Sequence, residues 1–171
     1  ASILCLNSNA DITRPGPYCE ERKTLVSAKS VGALRSIIIT GSKQFGIGTM
    51  GSILRIAGGE FSTLRAAQMI DAGELEKGDI SGWLELVKFD FKNWGYGILT
   101  PESVEDGRIV VKLDESMSSA GIPNLSQSVC YYEGGRITGG LSQITGDKWQ
   151  FVETNCWGRG DKFCRFEITK I

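Results

Sequence analysis

Three cysteines and a glutamate near the C-terminus have the types and spacing to hold a metal ion. Glu153 stands three residues before Cys156, and Cys164 follows eight residues later, across the glycine-rich run CWGRGDKFC. Cys130 lies 23 residues before Glu153. Zinc takes four N, S or O donors in a tetrahedron, and three thiolates with one carboxylate supply them. Four protein donors leave no open position for water, so such a centre is structural rather than catalytic. Arg159, Lys162 and Arg165 are near enough in sequence to offset its excess negative charge. The spacing is not a standard zinc-finger pattern, and buried free cysteines or a disulfide remain alternatives.

Other signals are weaker. Gly46, Gly48 and Gly51 match a dinucleotide-binding fingerprint, with Asp71 twenty residues beyond Gly51. That fingerprint needs a strand before it and a crossover after it, whereas the flanks here read as helices. Packing glycines are the better reading. Arg159-Gly160-Asp161 reads as a charged turn, and Asn124-Leu125-Ser126 is a sequon with no other sign of secretion. The sequence has no histidine, which removes Ser-His and Cys-His catalysis and histidine-ligated metals.

An aromatic set could line a ligand pocket. Trp83, Phe91, Trp94, Tyr132 and Phe151, with Phe89, Tyr96 and Tyr131, fall on elements expected to face one another. Core packing explains most single aromatics, but small-molecule sites are also mainly apolar with few polar groups. Gly134-Gly135 and Gly139-Gly140 leave part of one predicted helix without side chains, for close backbone packing or for a ligand.

The elements that must position these residues follow from periodicity. One helix is expected over 21–40, with Leu25, Ala28, Val31, Leu34 and Ile38 on one face and a stop at Gly41. A second is expected over 43–57, ended by Gly58-Gly59, and a third over 62–72, carrying Leu64, Ala67 and Ile70. Segment 79–94 keeps helical spacing through Ile80, Trp83, Leu84, Val87, Phe91 and Trp94, which outweighs a short strand-like alternation at 87–91. Strands are expected at 96–100 and 108–114 around a Glu-Asp-Gly turn, then a helix over 126–144 that carries Cys130. Strands at 148–155 and 162–170 close the chain. Helices followed by a ββ-α-ββ run with short connections predict an α+β domain, an antiparallel sheet packed with helices.

Bulk properties narrow the function classes. The 171 residues suffice for one domain with a proper core. Nineteen Lys and Arg against twenty Asp and Glu argue against a bulk electrostatic grip on nucleic acid or an anionic membrane. No apolar run approaches a membrane span, and the N-terminus lacks a signal-peptide pattern. An odd count of five cysteines, including Cys5 and Cys19 far upstream, suits a reducing, cytoplasmic setting. The absence of a starting Met suggests a piece of a longer chain.

The C-terminal half resembles the vinyl-4-reductase (4-vinyl reductase) domain family. The likeness rests on NWGYGIL at 93–99, DGRIVVKL at 106–113, Cys130 with Gly135 and Gly139-Gly140, and ETNCWGRGDKFCRFEI at 153–168. RKTLVSAKSVGALRS at 22–36 and LRIAGGEFSTLRAA at 54–67 are similar to sensor domains of aromatic-responsive, NtrC-type bacterial activators. The resemblance implies the ligand-binding fold shared with TRAPP-type trafficking subunits and haem-NO-binding domains. It implies zinc on Cys130, Glu153, Cys156 and Cys164, which match the family's positions and spacings. It also implies a small apolar or aromatic ligand beside the metal and a homodimer formed through the helical half. The expected layout is an arm at 1–20, a helical half at 21–75 and a zinc-containing ligand-binding half at 76–171. Phenol-responsive relatives hold the phenol hydroxyl with a histidine and a tryptophan. Here there is no histidine, Trp83 falls near its place, Ile109 stands at the tryptophan's position, and Phe151 replaces a pocket tyrosine. A less polar ligand than phenol is therefore expected. Alternatives are a tetrapyrrole vinyl reductase or its accessory, for which no nicotinamide or flavin site is visible, and a TRAPP-like adaptor.

Overall fold

The computed structural model describes residues 15–16 and 26–171. Two short strands, β1 (Pro15–Gly16) and β2 (Val26–Ser27), pair antiparallel. Three helices follow: α1 (Ala28–Phe45), α2 (Ile47–Asp71) and α3 (Ile80–Asn93). Then come β3 (Ile98–Glu105), β4 (Arg108–Asp114), α4 (Tyr131–Thr145), β5 (Trp149–Asn155), a 3₁₀ turn at Trp157–Arg159, and β6 (Cys164–Lys170). The long strands form an antiparallel sheet in the order β3-β4-β6-β5. This is the expected α+β class. Residues 21–25 of the first expected helix, most of the expected arm, and Cys5 and Cys19 lie outside the described residues.

Alternation along the strands decides what the sheet buries. On β6, Cys164, Phe166 and Ile168 point inward, and on β4 Ile109, Val111 and Leu113 do the same. Facing them are Trp83, Val87 and Phe91 of α3 and Ile137, Leu141 and Ile144 of α4. The helical period read over 79–94 thus corresponds to a real buried stripe. Asp79 starts that helix, its carboxylate accepting from Gly82 N–H at 2.8 Å. Removing such a cap costs about 1 kcal/mol. Asp79→Ala is expected to lower the free energy of unfolding in urea by that amount, with no change in metal content.

The helical half departs from expectation. Gly41 does not stop α1, which runs on to Phe45. Gly58-Gly59 does not separate two helices, because α2 is continuous through it. The physical reason is the neighbour. A Cβ on Gly58 would strike the Tyr132 carbonyl, one on Gly135 the Arg55 carbonyl, and one on Gly139 the Gly59 backbone. These glycines let α2 and α4 cross with their backbones in contact, and Thr63 donates across the crossing to the Gly139 carbonyl at 3.3 Å. The buried stripe of α2 is accordingly Met50, Gly51, Leu54, Gly58, Ser62 and Ala66. Ile53 and Leu64, expected to face the core, are exposed, as are Ile56 and Phe61.

Trp83 fills the other notch of α4. Its ring occupies the space a Cβ on Gly140 would need, and its indole N–H donates to the Ile137 carbonyl at 3.0 Å. α4 begins at Tyr131 rather than 126, so Cys130 caps the helix instead of lying within it. Gly146, with φ 77°, ends the helix in the left-handed conformation that favours glycine.

Candidate metal centre and ligand-contacting residues

Four elements converge on one buried point. The N-cap of α4 brings Cys130, the inward face of β5 brings Glu153, the turn after β5 brings Cys156, and the first residue of β6 brings Cys164. One donor atom from each lies within 4.8 Å of every other, and all four residues are buried. The Cys130 sulfur is 3.4 Å from that of Cys164 and 3.9 Å from that of Cys156. These separations are far beyond a disulfide bond. They bracket the roughly 3.8 Å edge of a tetrahedron with sulfur–zinc bonds of about 2.3 Å.

The electrostatics point the same way. Burial pushes the Cys130 and Cys164 thiols well above their ordinary range. Burial, then the neighbouring Cys156, raises the Glu153 carboxyl. Cys156 alone is driven down, to about 2, because the Cys130 and Cys164 thiols both donate to it. The bare cluster thus favours one thiolate and resists further ionisation. A dication would stabilise the remaining charges, since metal ligands must be deprotonated. Arg159, Lys162 and Arg165, expected to offset the charge, have other partners. Arg159 reaches the Thr154 carbonyl, Lys162 lies over Trp157, and Arg165 forms a two-pronged pair with Glu102. The donor set, its spacing and its burial fit a metal ion.

A supporting shell escaped the sequence reading. Ser119 Oγ is 3.0 Å from the Cys130 sulfur and 3.3 Å from that of Cys164. Ser116 Oγ lies 3.2 Å from the Cys130 sulfur and donates to buried Glu133 at 3.3 Å. The backbone N–H of Gly158 donates to Cys156 sulfur at 3.3 Å, and that of Cys130 to Glu153 Oε2 at 3.2 Å. Such outer contacts orient ligands and tune their basicity. Only the serine-rich run at 116–119 hinted at them.

The six residues expected to line a pocket are distributed differently. Trp83 and Ile109 are fully buried core. Phe91, Trp94 and Tyr132 gather with Phe61 and Tyr96 around Arg136 between α2, α3 and α4. Phe151 lies elsewhere, its ring over Gly134 and edge-on to Phe166. It lines two neighbouring surface clefts of about 310 and 370 Å³, the second reaching Glu153.

This architecture is shared. At 18% identity, the phenol-responsive sensory domain of the transcription activator PoxR, solved with phenol, superposes with a TM-score of 0.68 over 82% of this chain and 74% of that one. Trafficking protein particle complex subunit 3 from Naegleria fowleri, covalently bound to palmitic acid, gives 0.65 at 15% identity over 84% and 93%. An H-NOX protein from S. oneidensis gives 0.54 at 17% over 90% and 83%. Likeness at this level of identity establishes the fold.

The sequence is more specific. Residues 109–170 match the vinyl-4-reductase domain, so the chain carries that domain, and the match holds all four clustered residues. An uncharacterized protein of Methanocaldococcus jannaschii is 31% identical over 99 residues, 57% of this chain and 60% of its own length. The chain therefore spans under two thirds of that relative.

Proposed function

We propose that this chain is a zinc-stabilised sensor domain that binds a small apolar or aromatic molecule. The observation that carries the reading is the buried Cys130–Glu153–Cys156–Cys164 cluster inside the vinyl-4-reductase domain match, on a fold shared with a phenol-responsive sensory domain. Zinc would tie the start of α4 to the β5–β6 hairpin and fix the frame on which ligand-contacting residues are placed. A ligand that favours one arrangement of that frame shifts its population and biases whatever is attached.

Native mass spectrometry with elemental analysis tests this directly. One zinc per chain, and a melting temperature raised by toluene or a related apolar aromatic, are expected. A protein purified without bound metal, or one indifferent to such compounds, sinks the reading.

A second reading, a TRAPP-like adaptor, has its own observation. The interior notch beside α4 is filled by Trp83, while Ile37, Phe45 and Ile53 stand exposed around an apolar cleft of about 540 Å³ on α1 and α2. A homodimer through this helical half would cover the same face. Light scattering should give twice the chain mass, falling to the monomer in Ile53→Glu. A wild-type monomer leaves that face to another partner and favours the adaptor.

A further inference from the structure

Two arginines are buried, and they are used in opposite ways. Arg35, on α1, is 2% exposed and spends its guanidinium on the chain, Nε on the Met117 carbonyl at 3.0 Å and Nη2 on that of Ala120 at 2.9 Å. That is a structural pin. Arg136, on α4, is fully buried. Its Nε donates to Ser62 Oγ at 2.9 Å, which fixes the plane of the group. Neither Nη1 nor Nη2 has a hydrogen-bond partner among the described residues. The edge left open is the one that grips a carboxylate with two parallel hydrogen bonds.

The nearest carboxylate does not take that role. Asp90 Oδ2 is held by Arg65 Nε at 3.3 Å and stands 3.6 Å from Arg136 Nη2, while Oδ1 has no partner among the described residues. Two guanidinium groups share one carboxylate, leaving one positive charge in excess in a site from which water is excluded. Buried charge at this level calls for a counter-charge. Meanwhile four rings surround the guanidinium carbon: Phe61 at 4.5 Å, Tyr96 at 5.1 Å, Trp94 at 5.2 Å and Phe91 at 5.3 Å. Phe91 is part of the core. Phe61 and Trp94, an edge-to-face pair 5.8 Å apart, are 41% and 44% exposed and form the solvent side.

We propose that this chamber binds a small planar aromatic carboxylate, held by the Nη1–Nη2 edge of Arg136 once the Phe61–Trp94 pair turns aside. The carboxylate balances the excess charge and engages the two unbonded nitrogens. The ligand's ring takes over the stacking on the guanidinium that the displaced side chain gives up, so the cation–π contact is exchanged rather than lost. An aliphatic acid offers the first interaction without the second. Residues 134 and 136 are about 200° apart around a helix, so the chamber faces away from the Phe151 clefts. The proposal names a ligand class for the small-molecule reading above and rests on that reading for its biological purpose.

Titration of the purified protein with benzoate and its neutral isostere benzamide, followed by calorimetry and tryptophan fluorescence, is the test. Benzoate should bind once per chain with a dissociation constant of about 1 mM or tighter, near the reach of so small a ligand. Benzamide should be weaker by about tenfold or more, the value of a charged hydrogen bond. Arg136→Met should abolish benzoate binding. Arg136→Lys keeps the charge, loses the fork and should weaken it. Should either variant fail to fold, the wild-type benzoate-to-benzamide ratio and NOEs from benzoate ring protons to the Trp94 indole still decide. Equal affinity for the two compounds, no binding of either, or NOEs to other residues overturns the proposal. A zinc-loaded protein that answers toluene but ignores benzoate ends this proposal and keeps the sensor reading. Benzoate held through Arg136 in a protein without metal does the reverse.

Discussion

Replacing Cys164 by serine is expected to strip the protein of its metal and unfold it. Cys164 opens β6, and its sulfur faces Cys130 at 3.4 Å, where the start of α4 meets the hairpin's sulfur ligands. Structural zinc sites of this kind contribute apparent free energies of about 10–16 kcal/mol in zinc-finger peptides, as large as the whole stability of a typical domain. Loss of even ~5 kcal/mol lowers the melting temperature of a chain this size by roughly 10–20 °C. Circular dichroism melts with and without chelator, paired with elemental analysis, measure both quantities. Unchanged melting of Cys164→Ser, or of the wild type under chelator, would refute the metal's structural role. The pH dependence adds a check of sign. Without metal, burial holds the Cys130 and Cys164 thiols protonated in the folded state. The unfolded chain releases those protons near the ordinary thiol pKa of about 8.5, so chelated protein should lose stability as pH rises through that value. With metal the thiolates are the bound form, protons compete, and stability should fall as pH drops.

That cluster was legible because its spacing is local. Glu153, Cys156 and Cys164 sit on two strands joined by one glycine-rich turn, and a hairpin can bring them together in few ways. The distance from Cys130 was legible, but its place was not. Hydrophobic periodicity begins before the helix does, so the residue read as helical is the cap. α3 could be read from sequence because one stripe of large apolar residues serves one buried face. α2 could not, because its buried face is built largely from Gly51, Gly58, Ser62 and Ala66, and several of its large apolar residues point outward. A rule that puts big side chains inside fails where two backbones touch. Arg136 was invisible for a related reason. A charged residue in a helix reads as a solvated face, and only the packing of three helices shows that its guanidinium is enclosed by rings.

The same crossing makes the second large effect, and its direction runs against intrinsic propensity. Alanine for glycine inside a helix gains about 0.5–1 kcal/mol when the site is open. Gly32, in α1, has nothing within 4 Å of where a Cβ would stand, so Gly32→Ala should show that gain. Gly135→Ala should show the opposite. The added methyl meets the carbonyl and Cα of Arg55, backbone atoms of a long helix that cannot rotate away as a side chain would. Overpacking typically costs about 1–3 kcal/mol and more where the neighbour is rigid. Relief requires α2 and α4 to separate along their length, which would also disturb the Gly58–Tyr132 and Gly59–Gly139 contacts and the Thr63 hydrogen bond. The expected loss is therefore at the upper end, about 3 kcal/mol or more, read from urea denaturation. Because α4 also starts at Cys130 and carries Arg136, its displacement should weaken metal retention in the same variant. A Gly135→Ala protein as stable as wild type would mean that the two helices do not cross in backbone contact, and the placement of Cys130 against the β5–β6 hairpin would have to be reconsidered with it.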